Sequence, residues 1–98
     1  MLTTRQRAHL KSLAHPLKPL FQVGRDGVSN ALAATLETAF GTRELLKVKV
    51  LEAAPASARD TAGEIEAGVA DVNVVQKIGR TIVLYRRHPE KPEIRLPR

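Results

Sequence analysis

The run Gly24-Arg25-Asp26-Gly27 has the residue types and spacing that best suit a chemical task, which is holding a phosphate group. Glycine lets the backbone approach a ligand closely and adopt positive φ. The run lies between a short apolar stretch and a helical pattern, and the first N–H groups of a helix attract phosphate. Arg25 adds a positive charge, whereas Asp26 opposes a phosphate and could pair with Arg25 instead. A plain strand-to-helix turn would also place glycines here, so both interpretations stay open.

Basic residues are concentrated towards the two ends of the chain. The 98 residues carry 16 basic and ten acidic side chains, a net charge of +6 and a pI near 10.3. Residues 1–30 have a net charge of +4, residues 31–71 of −3 and residues 72–98 of +5. If the two ends meet in the fold, they form one basic face that attracts a polyanion such as RNA. The alternative is a basic protein whose charge serves solubility alone.

The residue types that catalysis or metal binding requires are missing or badly spaced. The absence of cysteine excludes disulfides, thiolate metal sites and cysteine nucleophiles. His9, His15 and His88 lack the spacing of metal ligands. Neither GxxxxGK[ST] nor GxGxxG occurs, which argues against a nucleotide-dependent enzyme. We therefore expect no enzymatic activity, no metal and no cofactor.

Length and composition predict a single domain over residues 1–98, with an extended tail at 88–98 that contains three prolines. The first residues are charged where a signal peptide would be apolar. No stretch reaches the roughly 18 consecutive apolar residues of a membrane span. We expect a monomer in the cytoplasm that does not bind membranes.

Capping residues and apolar spacing predict three helices. The first spans Thr3–Leu13 and opens with a capping box formed with Gln6. The second begins at Ser29 and ends at Gly41 in a left-handed conformation, and the third begins at Ser57. The residues expected to face inward are Leu10, Leu13, Ala14 and Leu17 in the first helix, Leu32, Leu36 and Phe40 in the second, and Ala58, Ala62, Ile65 and Val69 in the third; Arg5, Arg7 and Lys11 are expected to be solvated.

Alternating and β-branched residues predict four strands, at Leu20–Val23, Glu44–Leu51, Val72–Ile78 and Arg80–Arg86. The last two form an antiparallel hairpin through a tight turn at Gly79. The order α-β-α-β-α-β-β predicts an α/β fold, a two-layer sandwich with a four-stranded mixed sheet. In the second strand, Leu46, Val48 and Val50 are expected to share the packed face and Lys47 and Lys49 the partly wet one, and in the tail Ile94 and Leu96 are expected to add a short edge strand.

Three runs, in this order, carry a resemblance to a known family: LAHPLKP at 13–19, ELLKVK at 44–49 and IGRTIVLYR at 78–86. They resemble the CRM domain, in particular its stand-alone bacterial YhbY-like RNA-binding members, over nearly the whole chain. The resemblance implies a fold similar to the C-terminal domain of a bacterial translation initiation factor. It also implies RNA binding, association with precursors of the large ribosomal subunit and a role in ribosome assembly.

The resemblance maps the family's GxxG loop onto Gly24, Arg25, Asp26 and Gly27, where Asp26 departs from the neutral or basic residue that is common in the family. The alternative is an adaptor that binds a ribosomal protein or an assembly factor through Leu45, Leu51 or the tail. The residues expected to bind RNA are Arg5, Arg7, Lys11, Lys18, Gly24, Arg25, Gly27, Lys47, Lys49, Lys77, Arg80, Arg86 and Arg87.

Overall fold

The element order of the structure, a computed structural model that describes residues 2–98, matches the predicted order. Each strand is shorter than predicted by one to two residues. In chain order the elements are α1 (Thr4–Ala14), β1 (Phe21–Val23), α2 (Asn30–Ala39), β2 (Leu45–Val50), α3 (Ala58–Gly68), β3 (Asn73–Ile78) and β4 (Thr81–Tyr85).

The starts of the helices are held by the predicted side chains. Thr3 and Gln6 form the capping box of α1, and each side chain accepts a hydrogen bond from the other's backbone N–H at 3.0 Å. Ser29 and Ser57 cap α2 and α3 through their hydroxyl oxygens. The prediction for Gly41 is wrong, because the glycines with positive φ are Gly27 and Gly79. The chain leaves α2 through a tighter turn, in which Gly41 N–H donates to the Thr38 carbonyl at 3.0 Å.

The sheet has four strands in the order β1-β2-β4-β3, and it is mixed as predicted. β1 runs parallel to β2, while β4 runs antiparallel to both of its neighbours. Gly79 adopts a φ of +59° in the β3–β4 turn, as a tight hairpin turn requires. The tail adds no strand, so that prediction is wrong; Ile94 and Leu96 instead pack on the hydrophobic cluster beneath α1.

Helices cover both faces of the sheet, so the predicted two layers become three. α2 and α3 pack on the face that carries Leu46 and Leu84, whereas α1 packs on the opposite face against Leu45 and Tyr85. The reason is that β2 begins with two adjacent leucines, which point to opposite faces and both need cover. Leu13 and Leu17 were expected to face inward but are 40% and 39% exposed. Leu17 lies beyond the end of α1 at Ala14, and Leu13 lies on the exposed side of its last turn.

The chain ends meet on the α1 face, because the Gln6 side chain donates to the Pro97 carbonyl at 3.0 Å. Glu44, which is only 6% exposed, anchors the tail. Its carboxylate accepts backbone N–H groups of His88, Glu93 and Ile94 at 2.7–2.8 Å. We call this region, formed by residues 41–44, 71–73 and 86–94, the tail end.

Opposing effects act on the pKa of the Glu44 carboxyl group. Its burial alone would raise the pKa. The N–H donors of the tail and the neighbouring His88 together outweigh burial, so the pKa lies below the ordinary value. Burial, and then the charge of Glu44, raise the pKa of the Tyr85 phenol, whose hydroxyl is buried beside the anchor. The tail end therefore holds an ionised carboxylate next to a neutral phenol.

Candidate nucleic-acid interface

The Gly24–Gly27 run forms the turn between β1 and α2. Gly27 N–H donates to the Gly24 carbonyl at 3.0 Å, and Gly27 has a φ of +62°. A Cβ atom at Gly27 would lie 3.0 Å from Pro55 Cγ, whereas one at Gly24 would find its nearest neighbour at 3.9 Å. Arg25 and Asp26 are exposed and form no ion pair with each other. The fold therefore requires glycine at position 27, while position 24 has room for a side chain.

Three loops come together around this turn. The Leu51 N–H donates to the Val23 carbonyl at 2.9 Å and the Val50 N–H donates to the Arg80 carbonyl at 2.7 Å, which ties the end of β2 to β1 and to the β3–β4 turn. We call this region, formed by residues 24–27, 51–57 and 79–80, the loop end. It lies at the opposite end of the strands from the tail end, since β2 runs from Leu45 near the tail to Val50.

Four of the predicted cations are exposed at or beside the loop end: Arg25, Lys49, Lys77 and Arg80. Within residues 2–98, their side chains make no hydrogen bond and no ion pair. Lys49 lies in a row of the sheet with Gln22, Thr81 and Ile78, on the part of the α1 face that α1 leaves open. These side chains are therefore available to a ligand.

Two further predicted cations approach from α1. Lys11 is exposed and borders a hollow of about 330 Å³ between α1 and the sheet, together with Gln76 and Ile78. Lys18 is exposed in the segment that follows the helix. The hollow beside Lys11 is lined by no residue of the tail at 88–98.

Arg7, Lys47 and Arg86 have internal partners instead. Arg7, which was expected to be solvated, donates at 2.7 Å to the carbonyls of Val74 and Val75, where β3 has a bulge. Its partners are carbonyls of β3, an edge strand that has no neighbouring strand on one side within residues 2–98. The guanidinium is thus used to hold α1 on β3.

Lys47 is 9% exposed, and its Nζ donates to the Leu17 carbonyl at 2.9 Å. Arg86 pairs with Glu37 at 2.6 Å and lies 5.3 Å from the centre of the Phe40 ring. Both cations hold neighbouring segments on the sheet. Lys47 and Lys49 were expected on a partly solvated face of β2, but only Lys49 is exposed to solvent.

The remaining predicted cations lie elsewhere. Arg5 is exposed near the start of α1, and Arg87 is exposed at the tail end beside Asp71. The structure therefore does not bring all of the predicted residues onto one face.

Arg59 is a cation beside the loop end that sequence analysis missed. It is exposed in the first turn of α3 and lines the same hollow as Lys77 and Arg80. A signal was available, because a basic residue in the first helical turn opposes the helix dipole and is unfavourable without another role.

Of the surfaces predicted for an adaptor, Leu51 is half-buried and the other apolar residues are largely covered. Leu45 is 8% exposed, and Ile94 and Leu96 pack on the α1 cluster. The exposed large apolar side chains are instead Leu13, Leu17, Leu20 and Ile78. No helix in the described part of the chain is long and apolar enough to cross a membrane, and residues 2–98 contain no group of side chains suited to a metal ion.

Comparison with known proteins gives a consistent result. The family model of the CRS1 / YhbY (CRM) domain matches residues 2–86. The chain is 41% identical to Probable RNA-binding protein YqeI of Bacillus subtilis, covering 99% of this chain and 100% of that protein. It is 39% identical to a protein of Haemophilus influenzae named RNA-binding protein, covering 99% and 96% of the two chains.

A solved structure shares the fold over the full length. The solution structure of SAV1595 from Staphylococcus aureus, described as a candidate RNA-binding protein, superposes with a TM-score of 0.80 at 35% identity. The match covers 99% of this chain and 100% of that one.

Proposed function

This chain belongs to the CRM domain family, and from that premise we propose that it is a non-catalytic RNA-binding protein that assists assembly of the large ribosomal subunit. It would act as a single-domain monomer in the cytoplasm and bind structured ribosomal RNA of pre-ribosomal particles. The names of its relatives support RNA as the partner class. The ribosomal target rests on the family resemblance.

One observation carries the RNA-binding proposal: the loop end collects exposed cations that have no internal partner. Arg25, Lys49, Lys77 and Arg80 make no ion pair within residues 2–98, whereas Arg7, Lys47 and Arg86 are bonded internally. Unpaired cations at one end of the sheet favour a polyanionic ligand, because each neutralised phosphate releases counterions. The arrangement favours recognition of RNA backbone and shape. Phe40 and Tyr85 are buried, so they offer no stacking surface for bases.

In the proposed mechanism, the Gly24–Gly27 turn holds a phosphate between Arg25 and the start of α2. The lack of a side chain at Gly24 lets the RNA backbone come close, and the first N–H groups of α2 add a favourable dipole. Asp26 limits the affinity, because its carboxylate lies beside Arg25 and repels a phosphate.

A salt titration of RNA affinity tests the electrostatic part. With about five phosphate contacts, a plot of log affinity against log salt should have a slope of roughly −4 on a duplex-like RNA. Arg25→Glu should weaken binding more than Arg87→Glu, a matched charge reversal at the tail end, and Asp26→Lys should strengthen it. A flat salt dependence, or equal effects of the two arginine variants, would contradict the proposal.

Sedimentation of a cell lysate tests the ribosomal part. The protein should migrate with precursors of the large subunit at low salt, and Arg25→Glu should shift it towards the top of the gradient. Detection only in ribosome-free fractions at low salt would argue against a role in assembly while leaving RNA binding intact.

A second candidate function is an adaptor that binds a ribosomal protein, and one observation favours it. Leu13, Leu17 and Leu20 are 39–50% exposed, and Leu20 borders a hollow of about 500 Å³ between β1 and α2. An adaptor built on apolar contacts should keep its partner at moderate salt, whereas an RNA complex should dissociate.

A further inference from the structure

The hollow that Arg59, Lys77 and Arg80 line has a volume of about 480 Å³ and lies beside the glycine turn. It is bounded by the β2–α3 connection on one side and by the β3–β4 turn on the other. Its charged lining residues are Arg59, Lys77 and Arg80, with Glu52 as the single carboxylate.

The cations around this hollow come from separate elements. Arg59 belongs to the first turn of α3, Lys77 to the end of β3 and Arg80 to the hairpin turn. All three are exposed, and none has a hydrogen-bond or ion-pair partner within residues 2–98. Three like charges that converge on one space repel each other, and one carboxylate offsets only part of this repulsion. The lining therefore favours an anion.

The hollow and the glycine turn share a wall. Pro55 lines the hollow, and a Cβ atom built at Gly27 would lie 3.0 Å from Pro55 Cγ. Leu51, a second lining residue, is hydrogen-bonded through its N–H to Val23 just before the turn. An extended ligand could therefore cross Pro55 from one site to the other.

We propose that this hollow is a second phosphate site, which takes another backbone phosphate of the same RNA that the glycine turn holds. The inference rests on the proposed function and adds the residues Arg59, Lys77 and Arg80 as one contact group. The hollow is lined without any aromatic side chain, so it offers no platform for a base. A backbone phosphate is thus favoured over a free nucleotide.

Two carboxylates near the hollow should lower its affinity for a phosphate. Glu52 lines the hollow, and Asp60 lies in the first turn of α3, next to Arg59. Glu52→Gln should therefore raise RNA affinity, by about two- to threefold if one opposing charge is removed near one phosphate.

The main test is a triple variant, Arg59→Gln, Lys77→Gln and Arg80→Gln, compared with a control triple, Arg87→Gln, Lys91→Gln and Arg95→Gln. Both variants remove three exposed cations, but the control removes them from the tail end and the adjoining tail. The hollow variant should bind RNA at least tenfold more weakly at low salt. Its log–log salt slope should become shallower by about 0.9 for each duplex phosphate that the variant no longer neutralises. The control should weaken binding much less, and both proteins should keep the parent's thermal stability.

The outcomes separate this inference from the proposed function. If Arg25→Glu weakens RNA binding but the two triple variants have equal affinity and slope, the second site is refuted and the glycine turn remains. If the parent shows no salt-dependent RNA binding, both fail together.

A titration followed by amide NMR distinguishes the sources of phosphate. Structured RNA should shift the amide signals of Arg59, Lys77 and Arg80 together with that of Arg25. Uridine monophosphate at the same concentration should shift none of them. Saturation of the hollow by the mononucleotide alone would overturn the assignment to an RNA backbone.

Discussion

The loop end and the tail end differ in whether their polar side chains have partners within the fold. At the tail end, Glu44 accepts three backbone N–H groups, and His88 Nδ1 accepts those of Glu90 and Lys91 at 3.1 and 2.9 Å. At the loop end, Arg25 and Arg80 have no side-chain partner within residues 2–98. Glu44 and His88 of the tail end have internal partners, whereas the side chains of Arg25 and Arg80 at the loop end have none in the described part of the chain.

The difference indicates where charge stabilises the fold and where it serves a ligand. A buried polar group that loses its partner costs free energy of folding, whereas an exposed charge without a partner costs little. Substitution of a bonded group such as Glu44 at the tail end should therefore change stability, and substitution of an unpaired cation at the loop end should change RNA affinity. Four predictions test this division.

The largest effect is expected for Glu44→Ala. The substitution leaves three N–H donors without an acceptor and releases the tail from β2. We expect the free energy of unfolding to fall by about 3 kcal/mol. Chemical denaturation measures this loss, and Glu90→Ala, an exposed neighbour, serves as the control. A loss below about 1 kcal/mol for Glu44→Ala would break the comparison.

Lys47 and Lys49 provide a matched pair two residues apart on β2. Lys47→Ala removes the Nζ donor of the Leu17 carbonyl and should cost about 2 kcal/mol of stability. Lys49→Ala removes an exposed cation, so it should change stability by less than about 0.5 kcal/mol and weaken RNA binding several-fold. Chemical denaturation and RNA titration of both variants test this expectation. A loss of stability for Lys49→Ala together with a loss of RNA affinity alone for Lys47→Ala would refute it.

Sequence patterns were sufficient for the element order, the capping residues and the hairpin turn at Gly79, because these depend on neighbours along the chain. They could not show that α1 covers the second face, which depends on where a distant segment packs. For the same reason Arg7 was expected in solvent: its acceptors are 67 and 68 residues away in sequence.

The sequence predicted only part of the candidate site. Arg25 and the glycines could be located, because a strand-to-helix turn is a local feature. The distinction between Lys47 and Lys49 could not be made, since both alternate onto the same face and only the packing of the segment after α1 buries the first. The position of Arg59 in the first turn of α3, where a cation opposes the helix dipole, was a sequence signal for a further role.

The two glycines of the turn sharpen the comparison within the loop end. Gly27→Ala forces a side chain into positive φ and against Pro55, so it should cost about 1–2 kcal/mol of stability. Gly24→Ala meets nothing closer than 3.9 Å and should fold like the parent, but its methyl group would lie where the RNA backbone is proposed to approach. Equal RNA affinity of Gly24→Ala and the parent would show that no ligand comes close at this position.

The smallest effect is the acid sensitivity that Glu44 confers. Its pKa in the folded chain lies below the ordinary value of 4.5, because the tail N–H donors and His88 together outweigh the effect of burial. The unfolded chain therefore takes up the proton first as the pH falls. The stabilisation is fully present above pH 4.5 and is lost as the pH falls below it, through the pKa of the folded state.

Glu44→Gln removes this titration, so its stability should fall less steeply than that of the parent when the pH drops below 4.5. Ser57→Ala is the control, because it removes the cap of α3 and about 1 kcal/mol of stability without changing a titratable group. Its stability curve should run parallel to that of the parent over the same pH range. If the Glu44→Gln curve also runs parallel to the parent, the carboxylate does not hold the tail as an anion. The tail end would then depend on packing of Ile94 and Leu96 instead of on charge.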